Sequence, residues 1–124
     1  MIHFDTDYMA GAHPKVMERL LQTNAEQTVG YGCDHYTLKA KELIQQACSA
    51  PDARVYFLVG GTQANSTVTD GVLAHHEGVL CAESGHINVH ESGAIEATGH
   101  KVLVLPSYNG KVKAEDVRNY ISSF

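Results

Sequence analysis

Apolar positions recur at helical spacing in some segments of the chain and as continuous runs in others, and from the middle onward the two patterns alternate. Val16, Met17, Leu20 and Leu21 share one stripe between Pro14 and Gln22, and Pro14 suits a first turn, where its missing N–H costs nothing. A short amphipathic helix is predicted there. From Asn24 to Tyr36 there is no period; the stretch is polar and glycine-bearing, and it reads as a loop carrying Tyr31 and Tyr36. Thr37 then caps a predicted helix in which Ala40, Leu43, Ile44 and Ala47 recur at i, i+3, i+4 and i+7, ended by Pro51-Asp52. Val55 to Val59 is a continuous run of β-formers and reads as a strand, followed by Gly60-Gly61-Thr62 and a helix carrying Ala64, Val68, Val72 and Leu73. Val79 to Ala82 predicts a second strand, Asn88 to Thr98 a small-residue helix, and Val102 to Leu105 a third strand closed by Pro106. Asn109-Gly110 makes a turn, and a last helix begins near Ala114 with Val117, Tyr120, Ile121 and Phe124 on one stripe.

Strands that read as unbroken apolar runs are buried on both faces, and strand–helix alternation builds parallel sheets through crossover connections. The expected fold class is therefore α/β, with a mostly parallel sheet and helices on both faces. The last helix keeps its apolar stripe to Phe124, so further chain or a partner is expected to cover it.

Composition narrows the picture. With 124 residues, 44% of them hydrophobic, the chain has the size and core material of one globular domain. A net charge of −5 provides no cationic field for a nucleic-acid backbone or an anionic membrane, and no apolar run approaches the roughly 18 residues of a membrane span. The start of the chain lacks the cationic and apolar regions of a secretory signal, which makes the cytoplasm the expected compartment. Cys33, Cys48 and Cys81 form no CxxC pair and read as reduced thiols.

Val59-Gly60-Gly61-Thr62-Gln63-Ala64-Asn65 is the sharpest local signal, because glycines and a threonine stand where a strand hands over to a helix. Close backbone approach, unpaired first-turn N–H groups, the helix dipole and the Thr62 hydroxyl would together hold an anion such as a phosphate. The competing reading is a glycine turn in which Thr62 simply caps the helix. Neither GxxxxGK[ST] nor GxGxxG is present.

A second cluster, Glu83-Ser84-Gly85-His86-Ile87-Asn88-Val89-His90-Glu91, follows the next strand, at the carboxyl end where open parallel sheets bind ligands. His86 and His90, four apart, with Glu83 or Glu91, allow a metal reading, but the HExxH base and a third ligand of convincing spacing are missing, so no metal is expected. Alternatively the pair lies on the surface, or His86 lays its imidazole over an aromatic cofactor ring. His75-His76 reads as structural at a helix end, and His100-Lys101 as solvated. Asp5, Thr6, Asp7 and Tyr31 read from the residues alone as loop and packing positions.

Phe4-Asp5-Thr6-Asp7, Gly30-Tyr31-Gly32, Phe57 to Asn65, His86 to Ala94 and Asn109-Gly110-Lys111 resemble, in order, motifs of the low-specificity L-threonine aldolases among the β-eliminating lyases. The resemblance spans nearly the whole chain but only roughly the first third of a family member. It implies a fold type I pyridoxal-phosphate enzyme, working as a homodimer or homotetramer, that cleaves a small β-hydroxy-α-amino acid to glycine and an aldehyde. On that likeness residues 1–36 would be an N-terminal arm, short helix and active-site loop, and residues 37–124 part of the cofactor-binding α/β domain. By matching position, Gly60, Gly61 and Thr62 would bind the cofactor phosphate, and His86 would stack on its ring and act as the catalytic base. Thr6 and Tyr31 would face the substrate. Gly60 stands where relatives often have serine, and His90 where they often have tyrosine. No lysine of this chain sits in the context of the family's cofactor-holding lysine, which the resemblance places beyond residue 124, together with the aspartate that pairs with the ring nitrogen. A non-catalytic phosphate-ligand binding domain is the alternative, and a hydrolase using a metal on His86 and His90 a third option.

Overall fold

Two of the apolar runs pair in parallel in the structure, a computed structural model that describes residues 3–6 and 8–123. Asp7 and Phe124, singled out in the sequence, lie outside the described residues. The chain forms one compact unit over Met1–Val55 and another over Tyr56–Phe124.

In the first unit α1 spans Pro14–Thr23 and α2 spans His35–Ala47. Pro14 occupies the first turn of α1 as its fixed φ favours, and the His13 ring accepts a hydrogen bond from the Lys15 N–H. Thr37 does not cap α2. Asp34 does, its carboxylate accepting from the Thr37 N–H at 2.8 Å and from the Thr37 hydroxyl at 2.6 Å. Those bonds favour the ionised form and hold Asp34 below the usual carboxylate range. Neither helix buries a residue, and the α1 stripe of Val16, Met17, Leu20 and Leu21 is exposed. Polar contacts tie the unit instead: the Tyr36 hydroxyl donates to Glu26 at 2.6 Å, and the Arg19 guanidinium lies 5.6 Å from the Tyr36 ring centre.

In the second unit the order is α3 (Gly61–Val72), β1 (Gly78–Ala82), α4 (His86–Val89), a 3-10 turn (Glu96–Thr98), β2 (Lys101–Leu105) and α5 (Ala114–Ile121). β1 and β2 pair in parallel from Gly78 opposite Lys101 to Ala82 opposite Leu105, which confirms the α/β class and its parallel sheet. Ile95, Cys81 and Val102 form the buried cluster, with Val79 and Ile87 packed on it.

Three further expectations need correction. Val55 to Val59 forms no strand: the sheet of the described residues has two strands, and Tyr56, Phe57, Leu58 and Val59 are exposed. An apolar run becomes a strand only where another strand completes its ladder. The helix expected over Asn88 to Thr98 is broken, because Ser92 (φ 52°) and Gly93 (φ 78°) both adopt the left-handed region and separate α4 from the 3-10 turn. His100 is buried, not solvated. Its Nδ1 lies 3.0 Å from the Glu77 carbonyl, and its Nε2 3.6 Å from the Asp70 carboxylate, so the ring joins α3, the turn before β1 and the start of β2. His75 and His76 fall in the turn from Ala74 to Glu77, beyond the end of α3. Asn109 (φ 52°) and Gly110 (φ 75°) make the expected turn, closed by the Tyr108–Lys111 bridge, and a left-handed pair of this kind is the Asn-Gly hairpin turn.

Candidate functional site

The first candidate element is the start of α3. Gly60 is its N-cap residue, in extended conformation, and Thr62 is the second residue of the helix, so the capping reading of Thr62 fails. Glycine has no side-chain acceptor, and no side chain caps this helix. The N–H groups of Gly61, Thr62 and Gln63 therefore point outward without intrahelical acceptors, at the positive end of the helix dipole. Gln63 reaches back instead to accept from the Val59 N–H at 2.9 Å, which ties Val59 to the first turn of the helix. A Cβ placed on Gly60 or Gly61 would meet nothing within 4 Å, so the space in front of these groups is open. The arrangement offers backbone donors and one hydroxyl to an anion.

The second element is the turn after β1. Gly85 precedes α4, and His86 is its first residue. The His86 side chain is 63% exposed, whereas Glu91, five residues on, has a side chain with 0% exposure. His86 Nδ1 lies 2.7 Å from Glu91 Oε1, and the same oxygen accepts from the Asn65 amide at 2.5 Å. Asn65 belongs to α3, three residues after Thr62 and hence on the same side of the helix. A chain of hydrogen bonds thus ties the start of α3 to the His86 turn through one buried carboxylate. The hydrogen bond to His86 is the main reason that Glu91 stays below the usual glutamate range; burial acts against it, and the Asn65 bond assists.

This direction fixes a pH dependence. A group whose folded pKa is depressed contributes stability that is complete above its unfolded pKa, about 4.3 for glutamate, and is lost as pH falls through the folded value. We expect the urea midpoint to fall more steeply with acidification in the native protein than in Glu91→Gln, with the difference confined to the acid side of about pH 4.3. Parallel curves for the two proteins would exclude a charged Glu91 in the fold.

Of the other sequence candidates, His90 sits beside His86, with ring centres 5.3 Å apart at 49°. Among the described residues no three His, Cys, Asp or Glu side chains gather as a metal ion would require. Thr6 and Tyr31 belong to the first unit, and both are exposed. Tyr31 has φ 61°, a left-handed conformation uncommon outside glycine. The sequence marks Glu91 only as a possible metal ligand and Asn65 only as part of a motif. Their pairing spans 26 residues, and nothing local in the sequence marks it. No helix among the described residues is long and apolar enough to cross a membrane.

Comparison with known proteins gives this geometry a context. The family model described as beta-eliminating lyase matches residues 3–123. The chain is 28% identical over 118 residues to the low specificity L-threonine aldolase of Pseudomonas aeruginosa, covering 94% of this chain and 34% of that protein. It is also 28% identical over 117 residues to the protein of the same name from a Pseudomonas species, again covering 34% of the relative. A solved structure of threonine aldolase from Leishmania major superposes with a TM-score of 0.90 at 41% identity, over 95% of this chain and 34% of that one. The chain thus spans about a third of the length of the relatives it matches. At this coverage of its own residues, and with the fold shared, the chain belongs to the β-eliminating lyase family.

Proposed function

We propose that the protein is a pyridoxal-phosphate-dependent lyase that cleaves a β-hydroxy-α-amino acid, such as threonine, to glycine and an aldehyde. Membership of the family and the names of its relatives support the reaction class. The observation that carries the reading to particular residues is the bond chain Asn65–Glu91–His86, which joins an anion-accepting helix start to an exposed imidazole.

The residues present fit the cofactor in two respects. The open N–H groups and the Thr62 hydroxyl suit its phosphate, with Gly60 and Gly61 leaving the space clear, and the exposed face of His86 suits its flat ring. When bound, pyridoxal phosphate supplies the electron sink for the pair released as the Cα–Cβ bond breaks. In this reading Gly60, Gly61 and Thr62 hold the phosphate in place. His86 takes the proton of the substrate's β-hydroxyl, a general-base role that suits an imidazole at neutral pH. Thr6 and Tyr31 contact the substrate, and the protein works as a homodimer or homotetramer in the cytoplasm. The lysine that holds the cofactor is not assigned to any residue of this chain.

The test is cofactor binding by the full-length protein, followed by absorbance. Thr62→Ala removes one hydrogen bond to a charged group, and His86→Ala removes a stacking surface. Each is expected to weaken binding roughly tenfold, the equivalent of about 1.4 kcal/mol. A native protein that leaves pyridoxal phosphate free in solution would overturn the proposal.

A further inference from the structure

We infer that Glu91 is a positioning residue for His86: it fixes the plane of the imidazole and its Nδ1–H tautomer, so that Nε2 is the ring atom left with a lone pair to accept a proton. The inference deepens the proposed function and rests on the reading of His86 as the base beside the cofactor.

Donor and acceptor chemistry carries the argument. An ionised carboxylate only accepts hydrogen bonds. Glu91 Oε1 receives two partners, His86 Nδ1 at 2.7 Å and Asn65 Nδ2 at 2.5 Å, so both nitrogens must present hydrogen to it. Glu91 is ionised at neutral pH, since the same bonds keep it below the usual glutamate range. Hydrogen on Nδ1 of a neutral ring leaves the lone pair on Nε2, and among the described residues no hydrogen bond engages Nε2.

Burial shows that this arrangement serves more than packing. Glu91 has no exposed side-chain surface while its partner ring is 63% exposed. Taking a carboxylate out of water is costly unless it is paired, and an exposed histidine needs no buried partner to be soluble. Glu91 Oε2 is also buried and has no hydrogen-bond partner among the described residues. All the compensation for burying the charge therefore sits on the oxygen shared by Asn65 and His86, and rotating the carboxylate would forfeit it. Asn65 locks the carboxylate, and the carboxylate locks the ring. Of the titratable side chains, Glu91 bonds the His86 ring, and the His90 ring lies beside it at 5.3 Å without a side-chain hydrogen bond among the described residues, which makes it an internal reference. Carboxylate partners hold catalytic and metal-bound histidines in one tautomer by the same physics.

The test needs no cofactor. In the protein labelled with 15N in its histidine rings, long-range proton–nitrogen spectra above the histidine titration range report which nitrogen carries hydrogen, and His86→Asn assigns the signal. His86 is expected in the Nδ1–H form. Glu91→Leu, similar in size but without an acceptor, is expected to return it to the Nε2–H form that free histidine prefers. Glu91→Gln keeps an acceptor oxygen and is expected to keep the Nδ1–H form. A native His86 found as Nε2–H overturns the inference, even where Glu91→Leu fails to fold, and so does a folded Glu91→Leu protein that retains Nδ1–H. Cofactor binding measured on the same sample separates the two levels. An Nε2–H ring in a protein that binds pyridoxal phosphate removes the positioning role alone. An Nδ1–H ring in one that does not bind it removes the proposed function alone.

Discussion

Gly85→Ala is expected to destabilise the protein by about 3 kcal/mol, at the upper end of what overpacking a well-filled core costs. The cause is steric. Gly85 has φ −65°, open to any residue, but a Cβ there would lie 2.1 Å from Cys81 Sγ and 3.0 Å from the Ala82 carbonyl oxygen. Neither atom can yield easily. Cys81 belongs to the buried cluster with Ile95 and Val102, and the Ala82 carbonyl accepts the Gly85 N–H at 2.8 Å, the bond that closes the turn. Cys81→Ala removes only the first clash, so the double substitution is expected to be less destabilised than the sum of the singles, with a coupling on the order of 1 kcal/mol. Urea midpoints of the four proteins measure this directly, and strict additivity would show that the alanine methyl and the sulfur do not meet. Because His86 follows Gly85, the displaced turn should also loosen the ring's hold on Glu91.

The same turn illustrates how far sequence reasoning carries. Val79 to Ala82 and Val102 to Leu105 are legible as strands from their β-formers, and Cys81, Val102 and Leu105 are buried, but Leu80 and Val104 are exposed, so the expectation that these runs are covered on both faces does not hold among the described residues. Val55 to Val59 has the same signature, yet a run of β-formers does not say where its partner lies, and among the described residues it has none. Ser92-Gly93 carried a turn signal that the small-residue pattern around it obscured, and two left-handed residues break the helix there. At His100-Lys101 the histidine turns inward and the lysine outward, as strand alternation allows, and the polarity of the pair concealed the burial. The helix start at Gly60-Gly61-Thr62 and the histidine turn were visible because each is a local feature of a few consecutive residues. The role of Glu91 is hidden in the sequence, because Asn65, 26 residues away in α3, becomes its neighbour only on folding, and proximity to His86 alone does not show which side chain the carboxylate bonds.

Gly61→Asp is expected to raise stability and abolish cofactor affinity together, and the opposite signs give the experiment its force. Gly61 is the first residue of α3, and a side chain there would enter open space, so the fold accommodates it. Replacing glycine in a helix removes backbone freedom from the unfolded chain, and a carboxylate beside the first-turn N–H groups gains about 0.3–1 kcal/mol from the dipole. That carboxylate would occupy the region assigned to the cofactor phosphate, which carries about two negative charges. Two unit charges about 4 Å apart repel by about 4 kcal/mol at the effective dielectric of a protein surface, so affinity should fall by about 100-fold or more. Gly61→Asn has the same shape without the charge and separates repulsion from crowding. Thermal unfolding and pyridoxal-phosphate titration on the full-length protein should therefore show a higher Tm and lost binding for the aspartate, with most binding retained by the asparagine. Equal losses in both would mean that the space in front of Gly61 is too tight for any side chain, and undiminished binding in Gly61→Asp would mean that the phosphate is held elsewhere. A general loss of structure cannot imitate the expected pair, because it would lower Tm and affinity in the same direction.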